Sequence, residues 1–218
     1  MRVHLLTERP RDIAPLLLDE QGRLKVVPAQ ILAETSAAER GAFGVRYGAY
    51  GFVTSELVEH LSVLLAGVSA LEVGAGNGVL AEALGIRATD NRQQELPHIR
   101  AVYEGLNQAL VPYGERVEKL DALSAARRYR PHTVLACWTT HRYDPARHWA
   151  GGNEDGVREE ELLSLCERYV FIGNEAVHAR KSLWALPHEK HHPPWLYSRA
   201  LNGSPNFIAV WHRNQSGL

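Results

Sequence analysis

The chain has 218 residues, of which 45% are hydrophobic and 22% are charged, as in an ordinary globular protein of one domain, with or without a small lid. A net charge of −1 and a pI of 6.8 disfavour a nucleic-acid backbone as partner, since such proteins usually carry a clear positive excess. No apolar run reaches the ~18 residues of a membrane span, and the first residues lack a long secretory segment, so we expect a cytoplasmic protein without membrane contact.

Residues 1–66 are predicted to form an N-terminal helical cap, and residues 67–218 an α/β domain packed with it as one unit. Pro28 favours the start of a helix that runs through about Arg40. The next segment, 41–51, holds four glycines and three aromatic residues, which we interpret as too glycine-rich for a helix. It either closes over a site or forms a packing turn. Thr54 or Ser55 then caps another helix, whose leucines share one face.

From residue 68 onward, predicted strands and helices alternate. The strands cover 68–73, 86–90, 117–120, 133–138, 169–172 and 207–211, and the helices 79–84, 99–110, 122–129 and 159–165. Nearly continuous apolar strands separated by helices predict a mainly parallel, doubly wound sheet with helices on both faces. Ligands of such sheets bind outside the carboxyl ends of the strands, so the residues there are the candidate site.

The first of these strand ends carries the sequence Glu-Val-Gly-Ala-Gly-Asn-Gly over residues 72–78. A dinucleotide fingerprint, G-x-G-x-x-G, would need a glycine where Val79 stands, and no Gly-Lys-Ser/Thr triplet of a P-loop is present. Glycines at a strand-to-helix turn allow tight bends and close approach of a ligand to the backbone. A glycine-rich turn without a ligand is the alternative.

The pattern acidic-x-Gly-x-Gly-x-Gly resembles motif I of the class I S-adenosylmethionine-dependent methyltransferases, and the resemblance covers about residues 68–175 plus the final strand. It implies a Rossmann-like fold whose last strand, at 207–211, is antiparallel. It also implies S-adenosylmethionine as cofactor and methyl transfer as activity. The cationic amine of that cofactor suits Glu72, and its body would lie on Gly74, Ala75 and Gly76.

Two further acids stand at strand ends. Asp90, 18 residues beyond Glu72, is placed to accept hydrogen bonds from ribose hydroxyls, with Asn91 beside it. Asp121, followed by Ala122, resembles the family's acid that accepts from the adenine amino group, although it equally fits a helix N-cap. The remaining predicted cofactor residues are Cys137, Trp138 and Tyr50.

The family's acceptor site lies beside the fourth strand, where this chain has residues 137–145. His141 is the candidate general base because its usual pKa lies near working pH, although it also fits a histidine that only hydrogen-bonds the loop. Tyr143 could orient the acceptor, and Glu175 is a second catalytic candidate. The Pro-Pro-aromatic and Pro-Cys signatures of DNA methyltransferases are missing, since Ala136 precedes Cys137. A small-molecule acceptor is therefore favoured over nucleic acid.

The sequence His-Glu-Lys-His-His at 188–192 suggests a metal, but hard cations prefer oxygen ligands and no second ligand set has zinc spacing. We predict no metal and a polar loop near the acceptor. Two other functions stay open: an S-adenosylmethionine-binding protein that does not transfer methyl groups, and another enzyme class using this cofactor. A homo-oligomer is compatible with the sequence.

Overall fold

The computed structural model describes residues 9–213, and within them seven strands form one sheet. The strands are β1 (Ala70–Val73), β2 (Arg87–Asp90), β3 (Val117–Lys119), β4 (Thr133–Cys137), β5 (Arg168–Asn174), β6 (Glu189–His191) and β7 (Asn206–His212). Their order is β3-β2-β1-β4-β5-β7-β6. The first five are parallel, and β7 is antiparallel to β5 and β6. The predicted fold class, including the last antiparallel strand, is confirmed.

The helices lie between these strands and ahead of them. They are α1 (Ala14–Leu17), α2 (Ala29–Ala33), α3 (Ala37–Tyr47), α4 (Ser55–Leu64), α5 (Val79–Leu84), α6 (Pro97–Gly105), α7 (Ala122–Tyr129) and α8 (Glu159–Ser164). Both α5 and α7 have the predicted bounds, and Thr54 caps α4 by accepting a hydrogen bond from the Leu57 amide at 3.1 Å. No helix within residues 9–213 is long and apolar enough to cross a membrane.

Two predictions about the N-terminal region are wrong. The helix from Pro28 ends at Ala33, because Ser36 starts a new helix through a capping box with Glu39. That helix, α3, then runs through the glycine-rich segment as far as Tyr47. Its glycines serve packing, since a Cβ on Gly44 would lie 2.5 Å from the Arg199 Cβ. The chain near residue 200 packs so closely on α3 that these positions need glycine, although glycine has a low helix propensity.

The core has a layer on each face of the sheet. On one face Val134, Phe171 and Trp211 pack with α7 and α8, and on the other Leu135 and Ile208 pack with α4 and α5. A third cluster, around Phe43 and Phe52, fills the N-terminal region. The domain boundary after residue 66 stays a prediction, and residues 1–8 of the predicted cap and 214–218 of the α/β domain lie outside the described residues.

The predicted polar loop at 188–192 contains an edge strand instead. β6 pairs with β7 through Lys190 and Ala209, and all three of its residues are exposed. Short, charged edge strands resist unwanted pairing with other chains. In the described part of the chain no group of three or more His, Cys, Asp or Glu side chains is arranged to hold a metal ion.

Candidate functional site

A cavity of about 760 Å³ opens at the carboxyl ends of β1, β2 and β4, where a doubly wound sheet places its ligands. All eleven residues predicted to bind a cofactor line it. They are Tyr50, Glu72, Gly74, Ala75, Gly76, Asp90, Asn91, Asp121, Ala122, Cys137 and Trp138. Their roles as cofactor contacts stay predictions, but the fold brings together residues from five separate segments of the chain.

The glycine loop, residues 74–78, forms the floor of this cavity. Gly74, Gly76 and Gly78 all have left-handed backbone conformations, with φ of 62°, 55° and 75°. Such angles favour glycine, and Gly74 also has no room for a side chain, since a Cβ there would overlap the Thr139 Cγ2. The alternating glycines therefore serve the turn itself and its close packing on neighbouring side chains, while residues 74–77 line the cavity.

Asp90 connects β2 to this loop. Its Oδ2 accepts a hydrogen bond from the Gly76 amide at 2.9 Å, and its Oδ1 accepts one from the Arg92 amide at 2.6 Å. Burial raises the pKa of Asp90, and these two hydrogen bonds oppose that rise. A carboxylate offers about four acceptor positions, so lone pairs remain for a ligand. Asp90 thus holds the loop in place and still faces the cavity.

Glu72, at the end of β1, is 2% exposed. Burial, with the nearby Asp90 adding to it, raises the pKa of this carboxyl group to about 8. Its Oε2 has no hydrogen-bond partner within residues 9–213, although the side chain lines the cavity. A buried acceptor without a partner is costly, by about 1–3 kcal/mol. The cavity therefore offers a place for a hydrogen-bond donor beside Glu72.

Asp121 caps α7, which confirms one of its two predicted roles. Its Oδ1 accepts hydrogen bonds from the amides of Leu123 at 3.1 Å and Ser124 at 3.0 Å. Burial would raise the pKa of Asp121, but the hydrogen bonds outweigh burial and lower it. The Ala122 amide is the first N–H of α7 and so has no acceptor within the helix. Both residues line the cavity beyond Asp90.

Tyr50 closes the cavity from the N-terminal side. Its hydroxyl lies 2.5 Å from that of Tyr103 on α6, and the Gln94 amide donates to the Tyr103 oxygen at 3.1 Å. The Arg199 guanidinium stacks over the Tyr50 ring at 3.7 Å. Gln94 and Tyr103 were not predicted as site residues because no sequence motif marks them. The phenol of Tyr103 and the side-chain amide of Gln94 indicate a site only after the fold has brought them to the cavity beside Tyr50.

Trp138 and Cys137 form the wall beside β4. Trp138 has a φ of 61°, a left-handed conformation that is unusual for a large side chain and concentrates at functional sites. Its ring packs edge-on against His178, with centroids 5.2 Å apart. Burial raises the pKa of the Cys137 thiol well above its usual range, so this thiol is neutral and not an activated nucleophile.

The three predicted catalytic residues do not line the cavity. His141 lies behind its wall, where its Nε2 is buried without a partner in the described chain, and burial and then Lys181 lower its pKa. The Tyr143 hydroxyl contacts His148 Nδ1 at 2.9 Å on the surface. Glu175 binds the Lys190 ammonium at 2.9 Å beside the edge strand. Their catalytic roles stay predictions without a contact to the cavity.

A buried ion pair supports the β4 wall from behind. The Lys181 ammonium lies 2.7 Å from Glu159 Oε1 and donates to the Thr139 carbonyl at 3.0 Å. Both charged residues are 3% exposed, and the Tyr169 hydroxyl donates to the same Glu159 oxygen at 3.0 Å. Sequence reasoning missed this group because its members are 10 to 42 positions apart.

Neither the family models nor the curated protein sequences give a match to this chain. Among solved structures, it is similar to precorrin-6y C5,15-methyltransferase from Geobacter metallireducens GS-15, at 13% identity and a TM-score of 0.39, covering 73% of this chain and 89% of that one. It is also similar to magnesium protoporphyrin IX methyltransferase from Synechocystis PCC 6803, with bound SAM, at 13% identity and a TM-score of 0.40, covering 71% and 77%. An rRNA methylase from Streptococcus thermophilus is similar at 13% identity and a TM-score of 0.37, covering 71% and 93%.

Independently of these likenesses, the sheet itself has the arrangement that the motif I resemblance implies. The carboxyl ends of its parallel strands lie at the edge of the sheet that carries the glycine loop. The last strand, β7, is antiparallel. The fold is the Rossmann-like one expected of the class I S-adenosylmethionine-dependent methyltransferases.

Proposed function

We propose that this protein is an S-adenosylmethionine-dependent methyltransferase. The observation that carries the proposal is the meeting of three acids in one cavity with the glycine loop. Glu72, Asp90 and Asp121 lie at the carboxyl ends of three adjacent strands, β1, β2 and β3, and each residue lines the same cavity. A ligand that has a cationic amine and a nucleoside can bind to all three acids. The negative charges of a phosphate-bearing ligand would instead be repelled by carboxylates.

The residues fit the cofactor part by part. The unpartnered Glu72 Oε2 suits its ammonium group, and the free lone pairs of Asp90 suit ribose hydroxyls. Asp121 and Ala122 line the cavity beyond Asp90, which supports the adenine edge as their partner. Gly74 and Gly76 line the cavity without side chains, which supports a close passage of the cofactor's chain along their backbone. When bound, S-adenosylmethionine supplies a sulfonium methyl group that a lone pair of the acceptor displaces.

A small-molecule acceptor is the substrate class that the cavity supports. Its volume of about 760 Å³ lies within the ~300–1,000 Å³ of small-molecule sites. Tyr50 and Trp138 narrow the cavity on one side. The protein's net charge of −1 provides no electrostatic attraction for a nucleic-acid backbone. An acceptor held between these rings would meet the cofactor at the β4 wall.

Calorimetry with S-adenosylmethionine, S-adenosylhomocysteine and NAD tests the cofactor. We expect both adenosyl ligands to bind and NAD to give no heat of binding. Binding of NAD alone by the folded protein would refute the proposal. The acceptor class is tested with methyl-labelled cofactor and a cell extract, where we expect the label in the small-molecule fraction. Label in RNA or DNA would refute that class.

One observation favours a second function, a protein that binds S-adenosylmethionine without transferring its methyl group. His141, Tyr143 and Glu175 all lie outside the cavity, so no predicted proton acceptor faces the place of reaction. The same two experiments separate these functions. Tight binding of both adenosyl ligands, combined with no labelled product in any fraction of the extract, would favour the binding protein.

A further inference from the structure

The connection between β4 and α8 folds back over the cavity. We call residues 150–158 of this connection the strap. Two of its glycines pack closely against the chain that leaves β4, since a Cβ on Gly152 would lie 2.8 Å from the His141 carbonyl oxygen and one on Gly156 would overlap the same carbonyl. Five members of the strap line the cavity: Asn153, Asp155, Gly156, Val157 and Arg158.

Backbone hydrogen bonds fix the strap at Asn153. The Asn153 amide donates to the His141 carbonyl at 3.2 Å, and the Tyr143 amide donates to the Asn153 carbonyl at 2.8 Å. The Arg142 amide donates to the Val157 carbonyl at 2.9 Å. Because both backbone groups of Asn153 are engaged, its side chain projects from a defined position and is not on a freely moving loop.

The strap reaches across the cavity to the end of β2. The Asn153 Nδ2 donates to Gln93 Oε1 at 2.9 Å, and the Asn91 Nδ2 donates to the Asp155 carbonyl at 2.8 Å. Asn91 Oδ1 accepts from the Gln93 amide at 3.1 Å, so both ends of the Asn91 side chain are occupied. Asn91 thus holds the strap, and its place in the ribose pocket stays a prediction.

One polar atom of the strap is left without a partner. Asn153 Oδ1 is buried and accepts no hydrogen bond from any described residue, while its Nδ2 is used by Gln93. The atom is an acceptor, so only a donor satisfies it. Asn153 lines the cavity together with Asn91 and Gln93, which stand one and three positions after Asp90, the residue that the proposed function pairs with the ribose.

We infer that Asn153 is a further cofactor-binding residue, whose Oδ1 accepts a hydrogen bond from the nucleoside half of the ligand, and that the strap must release Gln93 for the ligand to leave. The inference rests on the proposed function, because it takes the ligand to be an adenosyl compound. The strap then couples the β4 wall to cofactor binding at β2.

The test compares Asn153→Ala with Glu154→Ala, an exposed neighbour on the same strap. Binding and dissociation of S-adenosylhomocysteine and adenosine are measured by calorimetry and stopped flow. Loss of the hydrogen bond to the ligand should raise the Kd of both ligands three- to tenfold in Asn153→Ala, and their dissociation rates by at least that factor, because the strap also loses its bond to Gln93. Glu154→Ala should behave as the unmutated protein. Gln93→Ala keeps the Asn153 oxygen but removes its anchor, and should speed dissociation by a smaller factor.

Equal binding of both ligands to Asn153→Ala and the unmutated protein would overturn the inference. So would a loss confined to S-adenosylhomocysteine, because the contact would then lie on the amino-acid half. If Asn153→Ala does not fold, as judged by its thermal transition, Gln93→Ala decides, and an unchanged dissociation rate there overturns the inference. Failure of the unmutated protein to bind either ligand would instead refute the proposed function. Binding to the unmutated protein therefore distinguishes a failure of the proposed function from a failure of the Asn153 inference.

Discussion

The close contact between Gly74 of the glycine loop and Thr139, two residues after β4, can be measured with a matched pair of alanine substitutions. Gly74 and Gly85 have nearly the same φ, 62° and 64°. A Cβ at Gly85 meets nothing within 4 Å, whereas one at Gly74 overlaps the Thr139 Cγ2. Gly85→Ala should therefore cost only the left-handed conformation, about 1–2 kcal/mol. Gly74→Ala should cost about 1–3 kcal/mol more, since it also overpacks a buried contact.

Thr139→Ser removes the methyl group that causes this overlap and keeps the hydroxyl. In the unmutated protein it should cost about 1 kcal/mol for the lost buried methyl. In the Gly74→Ala background it should instead restore much of the lost stability, because the alanine Cβ then fills the vacated space. The two substitutions should thus show a coupling free energy of about 1–2 kcal/mol, typical of side chains in contact.

Urea unfolding of the five proteins (unmutated, the two alanine variants, Thr139→Ser and the double variant) gives all the required free energies. Equal destabilisation by Gly74→Ala and Gly85→Ala would show that Thr139 does not restrict position 74. Strict additivity of Gly74→Ala and Thr139→Ser would lead to the same conclusion. Either result would contradict the close packing of Gly74 against Thr139.

Three further predictions concern the acids and the buried lysine. Asp90→Ala should weaken S-adenosylhomocysteine binding at least tenfold in calorimetry, since hydrogen bonds to charged groups contribute about 1.5–3 kcal/mol, and unchanged affinity would exclude its role. Burial raises the pKa of Glu72 from 4.5 to about 8 in the folded protein, which therefore binds more protons than the unfolded chain between these pH values. The unfolding free energy of the unmutated protein relative to Glu72→Gln should then fall by about 1.4 kcal/mol per pH unit in this window, and a flat difference in urea titrations would contradict it. Lys181→Met should destabilise the protein by about 3–5 kcal/mol because it leaves Glu159 buried without its cation, and adding Glu159→Gln should recover part of that loss; no recovery would refute the pairing.

Local sequence patterns were sufficient for the framework of the fold. The alternation of apolar strands and helices predicted the mainly parallel sheet, and the bounds of α5 and α7 follow from signals within a few residues of each end. The acids at strand ends were also predictable, because parallel strands bring their carboxyl ends to one edge whatever the loops do. Hence all eleven predicted cofactor residues line one cavity.

Tertiary structure alone decided the features that depend on contacts between distant residues. The helix through Gly44 packs its backbone closely against Arg199, and the Thr139 carbonyl is held by Lys181, 42 positions away. The strap brings Asn153 to Gln93, 60 positions away, and no local pattern marks that meeting. Short-range signals determine turns, caps and periodicity, whereas the fold determines which polar side chains face the cavity.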